Sequence, residues 1–273
     1  MIKRIQFVNK PGGVTVAAFQ QAWLATLPDL CTGPEPTRPL RLVACLSLPG
    51  LAGPDHLHDG ISMTWFTNQD HLQRFESWLT QPTCTAAHAP DCVESSHVLC
   101  AREVVLRGAP WLDQRWHTPA EKFKHMALAR RAQTLSPAAF SERWLGKQGR
   151  VAGAKPGAKP GAKQGHTLAI PETAKGLAYI QNHPVQNSAP EQPPASSKLQ
   201  QDFMGMPPLY DAINEVYFDH LDGMQQRIDF FHTHEVGKAS ADLVRWARFL
   251  AVREQVVYPP FNPTISRTKA ESR

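Results

Sequence analysis

Polar side chains alternate along two neighbouring segments in the second half of the chain. Tyr179, Gln181 and His183 occupy every second position of one segment, and Glu215 and Tyr217 do so in the next. Residues two apart in a strand share a face, so each set is predicted to line one side of a sheet. A histidine near neutrality is a competent base, and a carboxyl in an apolar pocket can have a raised pKa. We therefore predict proton-transfer chemistry, with His183, Glu215, Tyr179 and Tyr217 as the catalytic groups.

Further residues are predicted to bind a ligand around these groups. In the first strand of each half, the more apolar set is predicted to lie under the helices: Ile5, Phe7, Met126 and Leu128. The alternate set then faces the cavity: Arg4, Gln6, His125 and Ala127. Trp65 and Met63 supply an apolar wall suited to a flat ligand. The predicted substrate-binding residues are Gln181, His125, Trp65, Met63 and Arg4.

A structural role is the competing interpretation of the same residues. His183 precedes Pro184 at a strand end and would then cap the backbone. Glu215 would pair with a base such as Arg143, and Tyr179 and Tyr217 would pack in the core. The sequence leaves both interpretations open.

An internal repeat provides the elements that position these residues. Residues 17–24 (AAFQQAWL) reappear as residues 138–145 (AAFSERWL), at an offset of 138 − 17 = 121. Collinear matches follow, with the first-half segment given first: 42–49 with 177–184, 59–66 with 211–218, and 101–105 with 252–257. Each half is predicted to run strand, helix, strand, strand, helix, strand. The predicted domains are residues 1–112 and 118–260, with flexible insertions at about 151–166 and 185–208 and a tail at 261–273.

Capping residues mark where the helices begin. Thr15 and Ser136 stand at the N-cap of the first helix in each half. The second helix is predicted to start at Asn68 or Asp70 in the first half. In the second half it is predicted to start at one of two aspartates, Asp219 or Asp222.

The predicted fold class is α+β, with two tandem ferredoxin-like βαββαβ units. The sheet of such a unit carries helices on one face only, so its other face must be covered. Two sheets that face each other satisfy this requirement. We therefore expect an intramolecular, pseudo-twofold α/β barrel around a pocket.

Both halves resemble the EthD-like family of the dimeric α/β-barrel superfamily. The resemblance rests on residues 140–144 (FSERW), 176–184 (GLAYIQNHP) and 211–219 (DAINEVYFD). It implies relatives that include polyketide cyclases, dehydratases, cofactor-free monooxygenases and haem-handling enzymes. The pattern departs from the family at Leu27 and Gln148, where members commonly carry a histidine near the end of the first helix.

The resemblance and the apolar pocket together imply a cofactor-independent lyase or isomerase, of dehydratase or cyclase type. Its substrate would be a hydrophobic cyclic or aromatic intermediate of a catabolic or polyketide-like pathway. A non-catalytic ligand-binding accessory protein for an oxygenase pathway and a cofactor-free monooxygenase are the alternatives. Haem binding through a histidine such as His183 is a further alternative. We expect no cofactor and no metal, because the His56/His58 and His232/His234 pairs lack a third ligand at a set spacing.

Composition limits the cellular compartments and the classes of partner that the sequence is expected to have. The net charge is +5, but several lysines fall in the low-complexity run 154–165, so we expect no nucleic-acid partner. No stretch reaches the roughly 18 apolar residues of a membrane span. Five cysteines without a C-x-x-C spacing suit a reducing compartment. We expect a soluble, cytoplasmic protein that binds a small hydrophobic ligand and forms a homodimer or contacts a pathway oxygenase.

Overall fold

The structure is a computed structural model, and it describes residues 1–52, 57–82, 84, 92–116, 118, 121–145, 150–153, 166–185, 209–236 and 242–259. Within these residues lie ten strands and six α-helices. In chain order they are β1 (Ile2–Asn9), α1 (Val16–Thr26), β2 (Arg41–Ser47), β3 (Gly60–Phe66), α2 (Gln69–Leu79), β4 (Ser95–Arg107), α3 (Ala109–Arg115), β5 (Lys122–Arg131), α4 (Pro137–Leu145), β6 (Arg150–Gly153), β7 (His166–Ala169), α5 (Glu172–Lys175), β8 (Ala178–Pro184), β9 (Ala212–Phe218), α6 (Leu221–Thr233) and β10 (Val244–Tyr258). Short 3-10 helices cover Leu27–Cys31 and Glu35–Thr37.

Eight of the strands close into an antiparallel barrel in the order β1-β3-β2-β10-β5-β9-β8-β4. The first half contributes the run β4-β1-β3-β2, and the second half contributes β10-β5-β9-β8. When the barrel strands are numbered within each half, both runs have the order fourth, first, third, second, as the sequence repeat requires. They join where β2 pairs with β10 and where β4 pairs with β8. The expectation of a closed barrel with mixed helical and strand content is thus confirmed.

Most predicted helix starts agree with the structure. The Thr15 side chain accepts a hydrogen bond from the Ala18 N–H and caps α1. Asn68 caps α2 in the same way. Ser136 accepts from the Ala139 N–H ahead of α4. The prediction for α6 was wrong by one position, because its N-cap is His220, which contributes no side-chain cap.

The described residues omit most of the predicted insertions and the tail. Residues 154–165, 186–208 and 260–273 lie outside them, so the predictions of flexible segments there are not addressed. β6 and β7 flank the first of these gaps and pair antiparallel outside the barrel. Among the described helices, none combines the length and apolar character needed to cross a membrane.

The two faces of β1 and β5 are the reverse of the prediction. Ile5 and Met126 lie in the apolar cluster inside the barrel, as do Phe7 and Leu128. The alternate residues lie on the outer face, toward the helices. The reason is that both faces are buried, one by the barrel interior and one by the helices, so hydrophobicity alone cannot distinguish them.

Gly108 links β4 to α3 in a conformation that a side chain would disturb. Its φ is +78°, and an added Cβ would lie 2.3 Å from the Leu177 carbonyl oxygen. We predict that Gly108→Ala lowers the free energy of unfolding by about 2–5 kcal/mol, from backbone strain plus overpacking. Urea denaturation measures this loss.

Gly13→Ala is the matched control for that substitution. Gly13 has a similar φ of +81°, but nothing lies within 4 Å of an added Cβ. Only the strain of about 1–2 kcal/mol should remain. Equal losses in the two variants would contradict the role given to the close approach at Gly108.

Candidate functional site

Six charged side chains meet inside one end of the barrel. They project from five strands and from α3, and each side chain is at most 8% exposed. This ionic cluster consists of Lys3, Glu103, Arg115, Lys124, Glu215 and Glu254. Three positive charges match three negative ones, which is the condition under which ions can be buried at tolerable cost.

Glu215 lies at the centre of the ionic cluster, and both of its oxygens are paired. The Lys3 ammonium lies 2.6 Å from Oε1, and the Lys124 ammonium lies 2.7 Å from Oε2. Asn182 donates its side-chain N–H to Oε1 at 2.9 Å. The Tyr217 hydroxyl donates to Oε2 at 2.8 Å. Each carboxylate oxygen therefore accepts from two donors.

The remaining carboxylates complete the charge pairing. Glu103 lies 2.5 Å from the Lys3 ammonium and also accepts the indole N–H of Trp65 at 2.9 Å. Glu254 pairs with both Lys124 and Arg115. The cluster is therefore one continuous network.

The protonation of the network follows from burial and charge together. Burial alone would raise the pKa of Glu215, but Lys124 and Lys3 hold it well below its usual range. Burial likewise opposes the charge on Lys124, yet the neighbours Cys45, Glu215 and Glu254 raise its pKa well above the usual value. At neutral pH the centre of the site is thus an ionised carboxylate between ammonium groups.

Equivalent positions of the sequence repeat supply most of the ionic cluster, except at its centre. Lys3 and Lys124 are equivalent at the offset of 124 − 3 = 121 and lie opposite Trp65 and Tyr217 in their ladders. Their ammonium groups lie 4.8 Å and 4.7 Å from the centroids of those rings. Glu103 and Glu254 are equivalent in the same way.

Glu215 breaks that equivalence, because its counterpart in the first half is Met63. Arg115 is the other group outside the equivalent set, since it comes from α3, in the connection between the halves. The ionic cluster thus consists of two equivalent lysine–glutamate pairs together with one further carboxylate, Glu215, and one further cation, Arg115.

α3 covers the charged end of the barrel with aromatic side chains. The Trp111 ring lies 5.7 Å from the Tyr217 ring, and Trp116 lies 5.7 Å from Trp65. The Arg115 guanidinium lies 4.0 Å from the Trp116 ring. The rest of the interior is apolar, including Ile5, Phe7, Val43, Ile61, Met126, Leu128 and Ile213. A carboxylate with hydrogen-bond donors and flat apolar walls is an arrangement that can move a proton on an apolar carbonyl compound.

Four of the predicted site residues come together in this interior. Glu215, Tyr217 and Trp65 belong to the network just described. Met63 places its sulfur 3.6 Å from the Lys124 ammonium. The alternative pairing of Glu215 with Arg143 is wrong, because Arg143 pairs with Asp242 at 2.6 Å.

The other five predicted site residues lie on the outer face of the barrel. On β8, Tyr179, Gln181 and His183 face the helices, while Asn182 points inward to Glu215. The predicted single pocket therefore does not form, since alternation places these three on the wall opposite to Glu215.

Arg4 and His125 are also outside the barrel, contrary to the prediction. The Arg4 guanidinium lies 4.0 Å from Glu76 of α2. His125 accepts from Arg227 of α6 at 3.2 Å, and its ring lies 5.2 Å from that of Phe231. Neither side chain can contact a ligand bound at Glu215.

The buried His125 should make stability depend on pH in mild acid. Burial and then Arg227 and His232 lower its pKa well below the usual value. The unfolded chain binds this proton near pH 6.5 and the folded chain does not, so stability falls as pH drops below about 6.5. His125→Gln should reduce the slope of unfolding free energy between about pH 6.5 and 5 by up to about 1.4 kcal/mol per pH unit. Urea titrations at several pH values measure the slope, and an unchanged slope would contradict the assignment.

Sequence reasoning missed five members of the ionic cluster: Lys3, Glu103, Arg115, Lys124 and Glu254. A signal for four of them was present in the repeat. Lysine recurs at equivalent positions of β1 and β5, and Arg-Glu recurs in β4 and β10. A charge kept at equivalent positions of both halves, on the face of the apolar interior residues, could have indicated a shared buried site.

No protein-family model matches the chain, and no curated protein matches it in sequence. Among solved structures, the chain is weakly similar to a "putative monooxygenase" from Lactobacillus acidophilus NCFM, with a TM-score of 0.40 and 6% identity. The match covers 94% of this chain and 98% of that one. Similarity at this level carries no information about activity.

Proposed function

We propose that the chain is a cofactor-independent enzyme of the lyase or isomerase type, acting on a hydrophobic cyclic or aromatic carbonyl compound. In this proposal it is an EthD-like protein, with two tandem ferredoxin-like units fused in one chain. The single observation that carries the activity is Glu215, an ionised carboxylate held by four donors in an apolar barrel. We expect it to act in the cytoplasm, where its five free cysteines would stay reduced.

In the proposed reaction Glu215 is the base. It takes a proton from the carbon next to the ligand carbonyl, and the electron pair moves onto the carbonyl oxygen. The ammonium groups of Lys3 and Lys124 stabilise that negative charge. Burial raises the pKa of Tyr217 well above its usual value, so its hydroxyl stays protonated. Once Glu215 has taken the proton, this hydroxyl can turn from Oε2 and donate to the same carbonyl oxygen. Return of the proton to another carbon completes an isomerisation. In a dehydration, Glu215 passes the proton to the hydroxyl on the neighbouring carbon, and that C–O bond breaks so that the hydroxyl leaves as water.

Stability alone does not call for this arrangement. Replacing a buried ion pair by apolar residues is often neutral or stabilising. The two symmetric pairs, Lys3–Glu103 and Lys124–Glu254, are balanced without further groups. Adding Glu215 and Arg115 increases the number of buried charges without improving that balance, which supports a chemical role.

A ligand would reach Glu215 from the end that α3 covers. The side chains there are the flat rings of Trp111 and Trp116, and α3 directly follows Gly108, whose φ is positive. Displacing these rings would expose Tyr217 and Trp65 as the walls of the site. The opposite end is filled by Phe7 and by Tyr210, whose rings lie 5.1 Å apart.

A non-catalytic ligand-binding protein is the second candidate. The observation that favours it is the saturation of Glu215 by four donors, which makes the carboxylate a weak base. Such a protein would hold the same class of compound for a partner oxygenase. It would bind the ligand without exchanging its protons.

Native mass spectrometry of protein purified from its own host tests the proposal. We expect a co-purifying aromatic or polycyclic carbonyl compound at one per chain. Conversion of that compound on incubation supports the enzyme, and binding without conversion supports the accessory protein. An empty barrel that also fails to bind a panel of aromatic ketones would overturn both.

A further inference from the structure

A second polar network lies on the outer face of the barrel, between β8 and α4. It links four side chains: Ser141, His183, Gln181 and Tyr179. The Ser141 hydroxyl lies 2.7 Å from His183 Nδ1, and His183 Nε2 lies 3.2 Å from Gln181 Oε1. Gln181 Nε2 lies 2.8 Å from the Tyr179 hydroxyl and 3.3 Å from the Trp144 carbonyl oxygen.

The hydrogen-bond partners fix the direction of the protons between Gln181, His183 and Ser141. The Trp144 carbonyl can only accept, so the Gln181 atom facing it is the NH₂ group. Gln181 Oε1 therefore faces His183 and can only accept. His183 must donate from Nε2, which leaves a lone pair on Nδ1 in the neutral imidazole. That lone pair accepts the hydroxyl proton of Ser141.

From this geometry we propose that Ser141 is a nucleophile toward activated acyl esters, with His183 as its general base and Gln181 as a positioning residue. A nucleophile, a base within hydrogen-bond reach and a third group that orients the base are the parts that such chemistry needs. In the step, the Ser141 oxygen bonds to the acyl carbon and its proton passes to His183 Nδ1. The ester C–O bond breaks, and the leaving oxygen departs with the bonding electron pair, either as a phenolate or, after taking the proton from His183, as an alcohol.

The surroundings of the pair suit this role. Burial and then Arg102 lower the pKa of His183, so the imidazole is neutral and can take a proton at physiological pH. Arg102 is paired directly with His183 in the β4–β8 ladder, and directly opposed residues share a face. A positive charge is thus present near His183. Ser141 is half-buried on α4 and therefore partly open to solvent.

This site is independent of the barrel interior. His183 and Glu215 lie on opposite faces of the sheet, and no member of the ionic cluster contacts Ser141 through the bonds described. Loss of activity at one site therefore says nothing about the other. The barrel function and the serine chemistry can fail separately.

Acylation by p-nitrophenyl acetate tests the proposal. The full chain should release one equivalent of p-nitrophenolate in a burst, and peptide mass spectrometry should find one acetyl group on Ser141. Ser141→Ala should abolish the burst. His183→Gln should slow acylation by about 10²-fold or more, the usual contribution of a general base.

Ser136→Ala is the matched control, because Ser136 is more exposed and precedes the same helix, where its oxygen accepts from Ala139. That variant should keep the burst. Unfolding the wild-type chain in urea should abolish it, which keeps the test valid even if a variant folds poorly. Acetylation spread over exposed serines, no acetyl group on Ser141, or an unchanged rate in His183→Gln would overturn the proposal.

Discussion

Replacing Lys124 by methionine should lower the free energy of unfolding by about 3–5 kcal/mol, because it leaves three buried carboxylates with only two cations to balance them. Lys124 is fully buried and pairs with both Glu215 and Glu254. Methionine keeps much of the side-chain volume, so the loss reports the charge and not a cavity. Urea denaturation at neutral pH measures it.

The double variant Lys124→Met/Glu215→Met tests whether the loss in stability comes from the unbalanced charge. It removes one charge of each sign and leaves two intact pairs, Lys3–Glu103 and Arg115–Glu254. Met63 already occupies the position equivalent to Glu215 in the first half, so a methionine there suits the barrel. The double variant should be more stable than Lys124→Met alone, with a coupling energy of about 0.5–3 kcal/mol.

An exposed pair supplies the control for both variants. Arg143 pairs with Asp242 at 2.6 Å on the surface, and Arg143→Met should cost no more than about 1 kcal/mol. A similarly small loss in Lys124→Met, or strict additivity in the double variant, would show that the ionic cluster is not a coupled buried network.

Glu215→Gln should lower turnover of the barrel ligand by about 10²–10⁴-fold, the range that a general base contributes. Glutamine has nearly the same shape but cannot take a proton. Ligand binding should persist, because Trp65 and Tyr217 form the walls. Initial rates and a binding titration on the same preparation measure the two effects.

Glu76→Gln is the matched control for that substitution. Glu76 is a partly buried carboxyl near Arg4 on the outer face, and burial raises its pKa. It lies outside the barrel interior, so its replacement should leave turnover unchanged. Equal losses in the two variants would point to a general effect on the fold.

The closed barrel could be predicted from the sequence because the same pattern of strands and helices occurs in both halves. The Phe-x-x-x-Trp pattern at Phe19 and Trp23 recurs at Phe140 and Trp144, and caps such as Thr15 fix where helices begin. A repeat of βαββαβ pattern has few ways to bury its sheets, so the closed barrel followed from it.

The orientation of the strands could not be predicted in the same way. Ile5 and His125 were assigned to the wrong faces, because a strand packed against helices on one side and a barrel interior on the other is buried on both. Alternation then identifies two faces without saying which is inside.

The ionic cluster escaped prediction for a related reason. Lys3 and Lys124 look like solvated charges in sequence, since lysine is almost never fully buried unless paired. Their partners, Glu103 and Glu254, come from strands about 100 or more positions away, and only closure of the barrel brings them together. Glu215 and its donor Tyr217 were found because they share one face of a predicted strand, whereas the donors Lys3, Lys124 and Asn182 were not.

Deuterium incorporation from D₂O into the barrel ligand, followed by proton NMR for wild type, Glu215→Gln and Glu76→Gln, tests the central claim most directly. We predict exchange at the carbon next to the carbonyl in wild type and Glu76→Gln, and its loss in Glu215→Gln with binding retained. Exchange that persists in Glu215→Gln would contradict the assignment of Glu215 as the base.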